Sequence, residues 1–187
     1  MKGNKMKRAV KFKLKNGKDV VIKPLQVGDY DALMKYFDKF SHDVGAIQTT
    51  AYPGRPKMSK EQFEKMYSSN ERLGIAVWDG DKIIGDAMIG KDRPNHPYYQ
   101  GRTAGIGITM LNKYAHNGIG SKIMKILEKW ARENGVYKIH GDIRHLNIAS
   151  IVTCIKNGFI ITGIHYNAAF INGKWYHEYI VEKILEK

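Results

Sequence analysis

The segment Ile108-Thr-Met-Leu-Asn-Lys-Tyr-Ala-His-Asn-Gly-Ile-Gly-Ser-Lys-Ile123 decides how this chain is read. Its first residues continue a strand-forming run that begins near Thr103. Its last residues open a helical spacing of apolar side chains at Ile119, Ile123, Ile126, Leu127, Trp130 and Ala131. A glycine-rich turn therefore joins a strand to an amphipathic helix. Such a junction suits an anion. The first N–H groups of a helix lack intrahelical acceptors, the macrodipole is positive there, and glycine lets a diphosphate approach the backbone. A plainer reading stands beside it, in which Gly118 and Gly120 only shape a tight connection.

Spacing excludes two other phosphate-binding turns. A P-loop needs Gly-Lys followed by Ser or Thr, and Gly120-Ser121-Lys122 reverses that order. The dinucleotide fingerprint needs a third glycine where Ile123 stands. A second Gly-x-Gly, Gly105-Ile-Gly107, lies inside the strand and opens no helix, so it reads as a backbone feature.

Outward from this segment the punctuation is regular. Val10-Lys-Phe-Lys-Leu-Lys alternates as a half-buried strand, Asn16-Gly17 is a type I′ hairpin signal, and Val20 to Pro24 is the return strand. Asp29 can cap a helix using Leu33, Met34, Tyr36 and Phe37, and Ser59 starts a second helix after an irregular stretch from Gly45 to Met58. Strands at 74–79 and 82–89 flank Asp79-Gly-Asp, and the glycine-loop helix stops near Asn134-Gly135. A strand from Tyr137 to Ile143, a helix from Asn147 to about Asn157, and a hairpin from Phe159 to Ile184 around Asn172-Gly173 complete the chain.

The 187 residues suit one domain, since single cores grow to roughly 100 to 200 residues. With 43% hydrophobic and 26% charged residues the chain is globular. Cys154 is the only cysteine, which excludes an internal disulfide and a Cys/His zinc cluster, and the histidines lack metal-ligand spacing. No metal is expected. No apolar run suits a signal peptide or a membrane span, so the expectation is a cytoplasmic protein, a monomer or homodimer. The net charge of +13 favours anionic partners. The lysine-rich start up to Lys18 reads as a solvated arm and protected edge strand in preference to a nucleic-acid surface.

The glycine turn also resembles the acyl-CoA signature of the GNAT acetyltransferases, Gln/Arg-x-x-Gly-x-Gly/Ala, with Ala115 to Gly120 in its place. Downstream, Asn147, Ser150 and Lys156-Asn-Gly-Phe159 are similar to that family's Asn-x-x-Ser/Ala and Lys-x-Gly-Phe elements. The resemblance implies one GNAT-like α/β domain over 1–187. It would have a mixed, mostly antiparallel sheet of six to seven strands flanked by about four helices, an opening hairpin in 1–24, and a coenzyme-binding core at about 74–184. It implies acetyl-CoA as co-substrate and an amine as acceptor. The coenzyme would meet Met110, Leu111, Ala115, His116, Asn117, Gly118, Ile119, Gly120, Ser121, Asn147 and Cys154. Met110 would offer its backbone N–H to the developing oxyanion, and Leu111 would line the pantetheine.

Three departures bear on mechanism. Ala115 replaces the usual Gln or Arg, Cys154 stands where many members carry a tyrosine acid, and Gly105 stands where members often carry a glutamate base. Cys154 is expected to pack in an apolar stripe with Ile151 and Ile155 rather than to donate a proton. Candidate bases are Asp86 and Glu178, with Asp142 and His177 beside them, because burial within apolar strands lifts a carboxylate pKa; Tyr176 and Tyr179 are candidate acids. The acceptor is first a protein or peptide amine, then a small amine such as a polyamine. An acyl-CoA sensor without catalysis and an RNA-binding module are the readings from other classes.

Overall fold

The computed structural model describes residues 6, 8–43 and 52–185. Most of the basic start and residues 44–51 of the irregular stretch lie outside them. Among the described residues eight strands form one sheet in the order β1-β2-β3-β4-β5-β6-β8-β7. They are β1 (Val10–Lys13), β2 (Asp19–Pro24), β3 (Arg72–Asp79), β4 (Lys82–Lys91), β5 (Thr103–Met110), β6 (Lys138–Arg144), β7 (Ile160–Ile171) and β8 (Lys174–Ile184). The expected count of six to seven was low because both terminal hairpins join the central sheet. Only β5 and β6 run parallel; every other neighbour pair is antiparallel.

Four α-helices cover the sheet: α1 (Tyr30–Asp43), α2 (Lys60–Ser68), α3 (Ile119–Glu133) and α4 (Ile148–Lys156). Two side-chain contacts identify the faces. Tyr36 of α1 donates to Thr109 of β5 at 2.8 Å, and Lys183 of β8 donates to Glu128 of α3 at 2.7 Å, from opposite faces of the pleat. The α3 stripe read from the sequence is the one buried: Ile119, Ile123, Leu127, Trp130 and Ala131 all lie in the core. Each large apolar side chain so buried contributes roughly 1.5–3 kcal/mol. Facing α1 buries Leu33, Met34, Tyr36 and Phe40, with Phe37 only partly covered.

Caps followed the sequence unevenly. Ser59 accepts from the Gln62 N–H at 3.1 Å and Gln62 answers at 2.9 Å, a capping box at the start of α2. Asp29 does not cap α1 as expected. Its carboxylate accepts from the Gln26 N–H at 2.9 Å, closing a 3-10 turn at Val27–Asp29 that leads into α1.

Candidate active site

The backbone of β5 divides its hydrogen bonds by parity. Leu111 N–H donates to the Ile84 carbonyl at 3.0 Å and Asp92 N–H to the Thr103 carbonyl at 2.9 Å, so odd residues of β5 carry the ladder to β4. Even residues therefore turn their N–H and C=O toward β6. There β6 pairs with β5 only at Thr103–Gly105 against Lys138–His140, and beyond that point the strands part. Ile108 and Met110 thus face an opening with backbone groups that no strand satisfies, an arrangement that calls for a ligand or water. On the far side, the ladder from β6 to β8 uses odd residues, which turns the backbone of Asp142 and Arg144 into the same opening.

Met110 therefore turns its backbone N–H into the opening, and its side chain fills the space that Gly85 leaves, since a Cβ there would lie 2.5 Å from Met110 Cε. Ile108 is a second donor that the sequence did not disclose, because register is a property of the paired strand. Leu111 is corrected: its N–H is taken by Ile84 and its side chain is 2% exposed, so it lines no opening.

The glycine turn leads from this opening to α3. After a 3-10 turn at Asn112–Tyr114, Ala115 is half-buried and His116 exposed at φ 60°, while Gly118 takes φ 82° as N-cap of α3. Lys122 N–H is the first to find a helical acceptor, the Gly118 carbonyl at 3.2 Å. The amides of Ile119, Gly120 and Ser121 therefore project from the helix start. Ile119 offers only backbone, its side chain being core. The Asn117 side chain holds the turn: its Nδ2 donates to the Tyr114 and Ala115 carbonyls and its Oδ1 accepts from the Lys15 N–H. Ser121 Oγ accepts from Asn157 Nδ2 at 3.0 Å, pinning α4 beside the turn.

The basic hairpin belongs to this neighbourhood. Lys18 reaches Asp79 at 2.7 Å, Tyr114 donates to the same carboxylate at 2.5 Å, and Phe12 lies against Gly118. The hydrogen bond from Lys18, then that from Tyr114, hold Asp79 below the ordinary carboxylate range. The hairpin read as edge protection thus also packs beside the glycine turn.

The acid and base candidates do not converge. Asp86 is 7% exposed and accepts from the Thr109 hydroxyl, which in turn accepts from Tyr36 at 2.8 Å. Burial pushes its carboxyl up to about 6. Glu178 lies across the opening on β8 and is held by Arg144 at 2.7 Å. Asp142 is exposed on β6, and Asn147 caps α4 by accepting from the Ser150 N–H at 3.2 Å. Cys154 is 4% exposed within the core, so its place among coenzyme contacts is corrected, although Ile155 beside it is exposed and leaves the apolar stripe narrower than expected. Burial raises its thiol to about 11, which makes it a poor acid for a thiolate of pKa roughly 8.5. Cys154→Ala is expected to lower stability by about 1 kcal/mol and turnover by less than about tenfold. A loss of about a hundredfold in kcat with the melting temperature preserved would show that the thiol reacts.

Sequence reasoning passed over one pair. His140 Nε2 lies 2.8 Å from Asp92 Oδ2, and Thr103 donates to the same carboxylate at 2.7 Å. The signal was the glycine at 105, but its meaning depended on which residue lies opposite. Beside α1 and α2 a cavity of about 730 Å³ is lined by Met34, Phe37, Tyr52, Met58, Gln62 and Met66. The end of α1 also touches the glycine-turn segment, where Asp43 Oδ2 accepts from the Asn112 N–H at 2.5 Å. Among the described residues no cluster could hold a metal ion, and no helix is long and apolar enough to cross a membrane.

The architecture has close counterparts. An acetyltransferase of the GNAT family from Streptococcus pneumoniae superposes with a TM-score of 0.80 at 20% identity, covering 89% of this chain and 99% of that one. The yncA acetyltransferase of Salmonella typhimurium, solved with acetyl-CoA, gives 0.73 at 17% identity over 90% and 95%. A ribosomal-protein-alanine N-acetyltransferase from Brucella melitensis gives 0.72 at 20% identity over 88% and 99%. Among proteins of curated function none matches the sequence. At these identities the likeness speaks for the fold. The sequence model of the acetyltransferase (GNAT) family matches residues 38–159, the stretch that holds α2, the parted strands and the glycine turn. This chain therefore belongs to the GNAT family of acetyltransferases.

Proposed function

We propose that this acyltransferase moves an acetyl group from acetyl-CoA to a primary amine, first of all an amine of a protein or peptide. The observation that carries the reading is continuity: the open amides at the start of α3 give onto the unsatisfied backbone of Met110 and Ile108 between parted strands. The diphosphate would rest on the amides of Gly118 to Ser121, and the arm would pass along β5 toward the thioester. The amine nitrogen attacks the thioester carbonyl carbon, the N–H of Met110 or Ile108 receives the negative charge on oxygen, the amine proton leaves to a base or to water, and the C–S bond breaks to release the coenzyme thiolate. Substituting Ala115 for Gln or Arg removes a side-chain contact and leaves the amides intact.

A protein or peptide amine finds support in the open trough at Gly107 of β5, where nothing lies within 4 Å of the Cβ position. A net charge of +13 opposes free polycations. The resemblance of the Brucella melitensis enzyme, named for a protein substrate, points the same way. The single buried cysteine agrees with a cytoplasmic setting. One observation favours a second reading, a non-catalytic acyl-CoA sensor: Asp86 and Glu178 are both engaged by other side chains. Thiol release from acetyl-CoA, followed against peptides, lysine, polyamines and aminoglycosides, separates them. Release with peptides is expected; tight coenzyme binding with no release on any acceptor would favour the sensor.

A further inference from the structure

We propose that His140, oriented by Asp92, is the general base that takes the proton from the acceptor amine. This deepens the acetyl transfer proposed above and rests on it. Four observations place the imidazole. Gly105↔His140 is the last pair joining β5 to β6, so the ring stands at the apex of the opening toward which the acyl arm would run. A Cβ on Gly105 would lie 3.5 Å from His140 Cε1, so the glycine leaves the ring uncovered by its neighbour. Gly107, next on the same face, has nothing within 4 Å of where its Cβ would be, which leaves a trough on a central strand beside the ring. Finally, the side chains of His140 and Asp92 are 35% and 37% exposed, accessible to a substrate.

The hydrogen bonds assign the tautomer. Asp92 Oδ2 accepts from the Thr103 hydroxyl at 2.7 Å and lies 2.8 Å from His140 Nε2. A carboxylate accepts, so Nε2 carries the hydrogen and Nδ1 keeps its lone pair. In the transfer the C–N bond forms at a thioester whose oxygen is held by Ile108 N–H, about 10 Å along β5 from the ring; the amine proton passes through one water to Nδ1, and the C–S electron pair leaves on the coenzyme thiolate, which takes a proton from water. The imidazolium is balanced by Asp92. The other charged groups near it are Glu182, its register partner on β8, and Lys138, which holds Glu182 at 2.5 Å. Neither Asp86 nor Glu178 is then required as base, and Asp92 is a positioning residue.

The experiment uses the full chain with His140→Gln and Asp92→Asn. Thiol release with a peptide acceptor should fall roughly a hundredfold or more in kcat for His140→Gln, with the acid limb of its pH profile lost and coenzyme-induced thermal stabilisation unchanged. Asp92→Asn should cost about tenfold in kcat with KM little changed, because the ring loses the carboxylate that orients it and the imidazolium its counter-charge. The His140 ring resonance, assigned by its disappearance in His140→Gln, should shift when acetyl-CoA saturates the wild-type protein. Turnover of His140→Gln within about threefold of wild type, or an unmoved ring resonance at saturating acetyl-CoA, overturns the assignment of His140. Absence of coenzyme binding in the wild-type protein would instead overturn the acetyl-transfer reading itself.

Discussion

Gly120→Asp is expected to weaken acetyl-CoA binding by at least about a hundredfold, on the order of 2.7 kcal/mol. The new carboxylate would stand at the positive end of α3, among the amides of 119–121 that are to hold the diphosphate, and would repel it. The helix itself gains from an acid in its first turn. Against that gain stands a contact: a Cβ at 120 meets Thr153 Cγ2 at 3.3 Å, so α4 must yield by a few tenths of an ångström. Gly120→Ala carries the same contact without the charge. Calorimetric titration of both should show the alanine variant within about tenfold of wild type and the aspartate variant without measurable heat. Equal affinity for the two would place the diphosphate elsewhere.

Asp86→Asn is expected to stabilise the protein in mildly alkaline buffer by about 3 kcal/mol, a melting-temperature rise of roughly 6–12 °C. Burial raises the Asp86 carboxyl from an ordinary 3.8 to about 6, and the Thr109 hydrogen bond offsets only part of this. The native state therefore holds the proton where the unfolded chain has lost it. Stability from this group is fully present below about pH 4 and is lost as pH rises through about 6, so the native protein carries a buried charge at higher pH. Asparagine keeps an oxygen for the Thr109 hydroxyl and has no charge to bury. Thermal unfolding at pH 4 and pH 8 tests this: the gain should appear at pH 8 and nearly vanish at pH 4. A gain of the same size at both would mean that packing, not protonation, sets it.

What was legible in the sequence was local. The capping box of Ser59, the α3 stripe and the glycine turn announce themselves within a few residues and stand where the spacing placed them; the Asn16-Gly17 hairpin forms too, but with only Gly17 at positive φ and so not as the type I′ turn expected. The site depended on longer relations. That Met110 and Ile108 point their backbone into an opening follows from which residues pair with β4, and that β6 parts from β5 after His140 follows from sheet geometry. Asp92 and His140 lie 48 residues apart, and no periodicity joins them. Asn117 looked like a ligand contact because it sits inside the signature, and its side-chain amide also closes the turn. Leu111 looked like a pantetheine contact for the same reason of position, and parity of hydrogen bonding removes it.

The basic hairpin teaches the complementary lesson. Lysine on an edge strand is explained locally by protection against strand addition, and nothing in that explanation requires a neighbour. In the folded protein the hairpin meets the glycine turn through the Lys15 N–H and Phe12, and Lys18 is held by Asp79 beside it, so the same residues also brace that turn.

The measurement that bears most directly on the account is binding of acetyl-CoA to the unmodified chain, followed by calorimetry and by thermal unfolding across a range of coenzyme concentrations. A ligand that binds only the native state adds about 2.7 kcal/mol at one hundredfold its Kd. One site per chain and a melting temperature that climbs steadily with acetyl-CoA are expected. No heat of binding and an unchanged melting temperature at millimolar acetyl-CoA would contradict it.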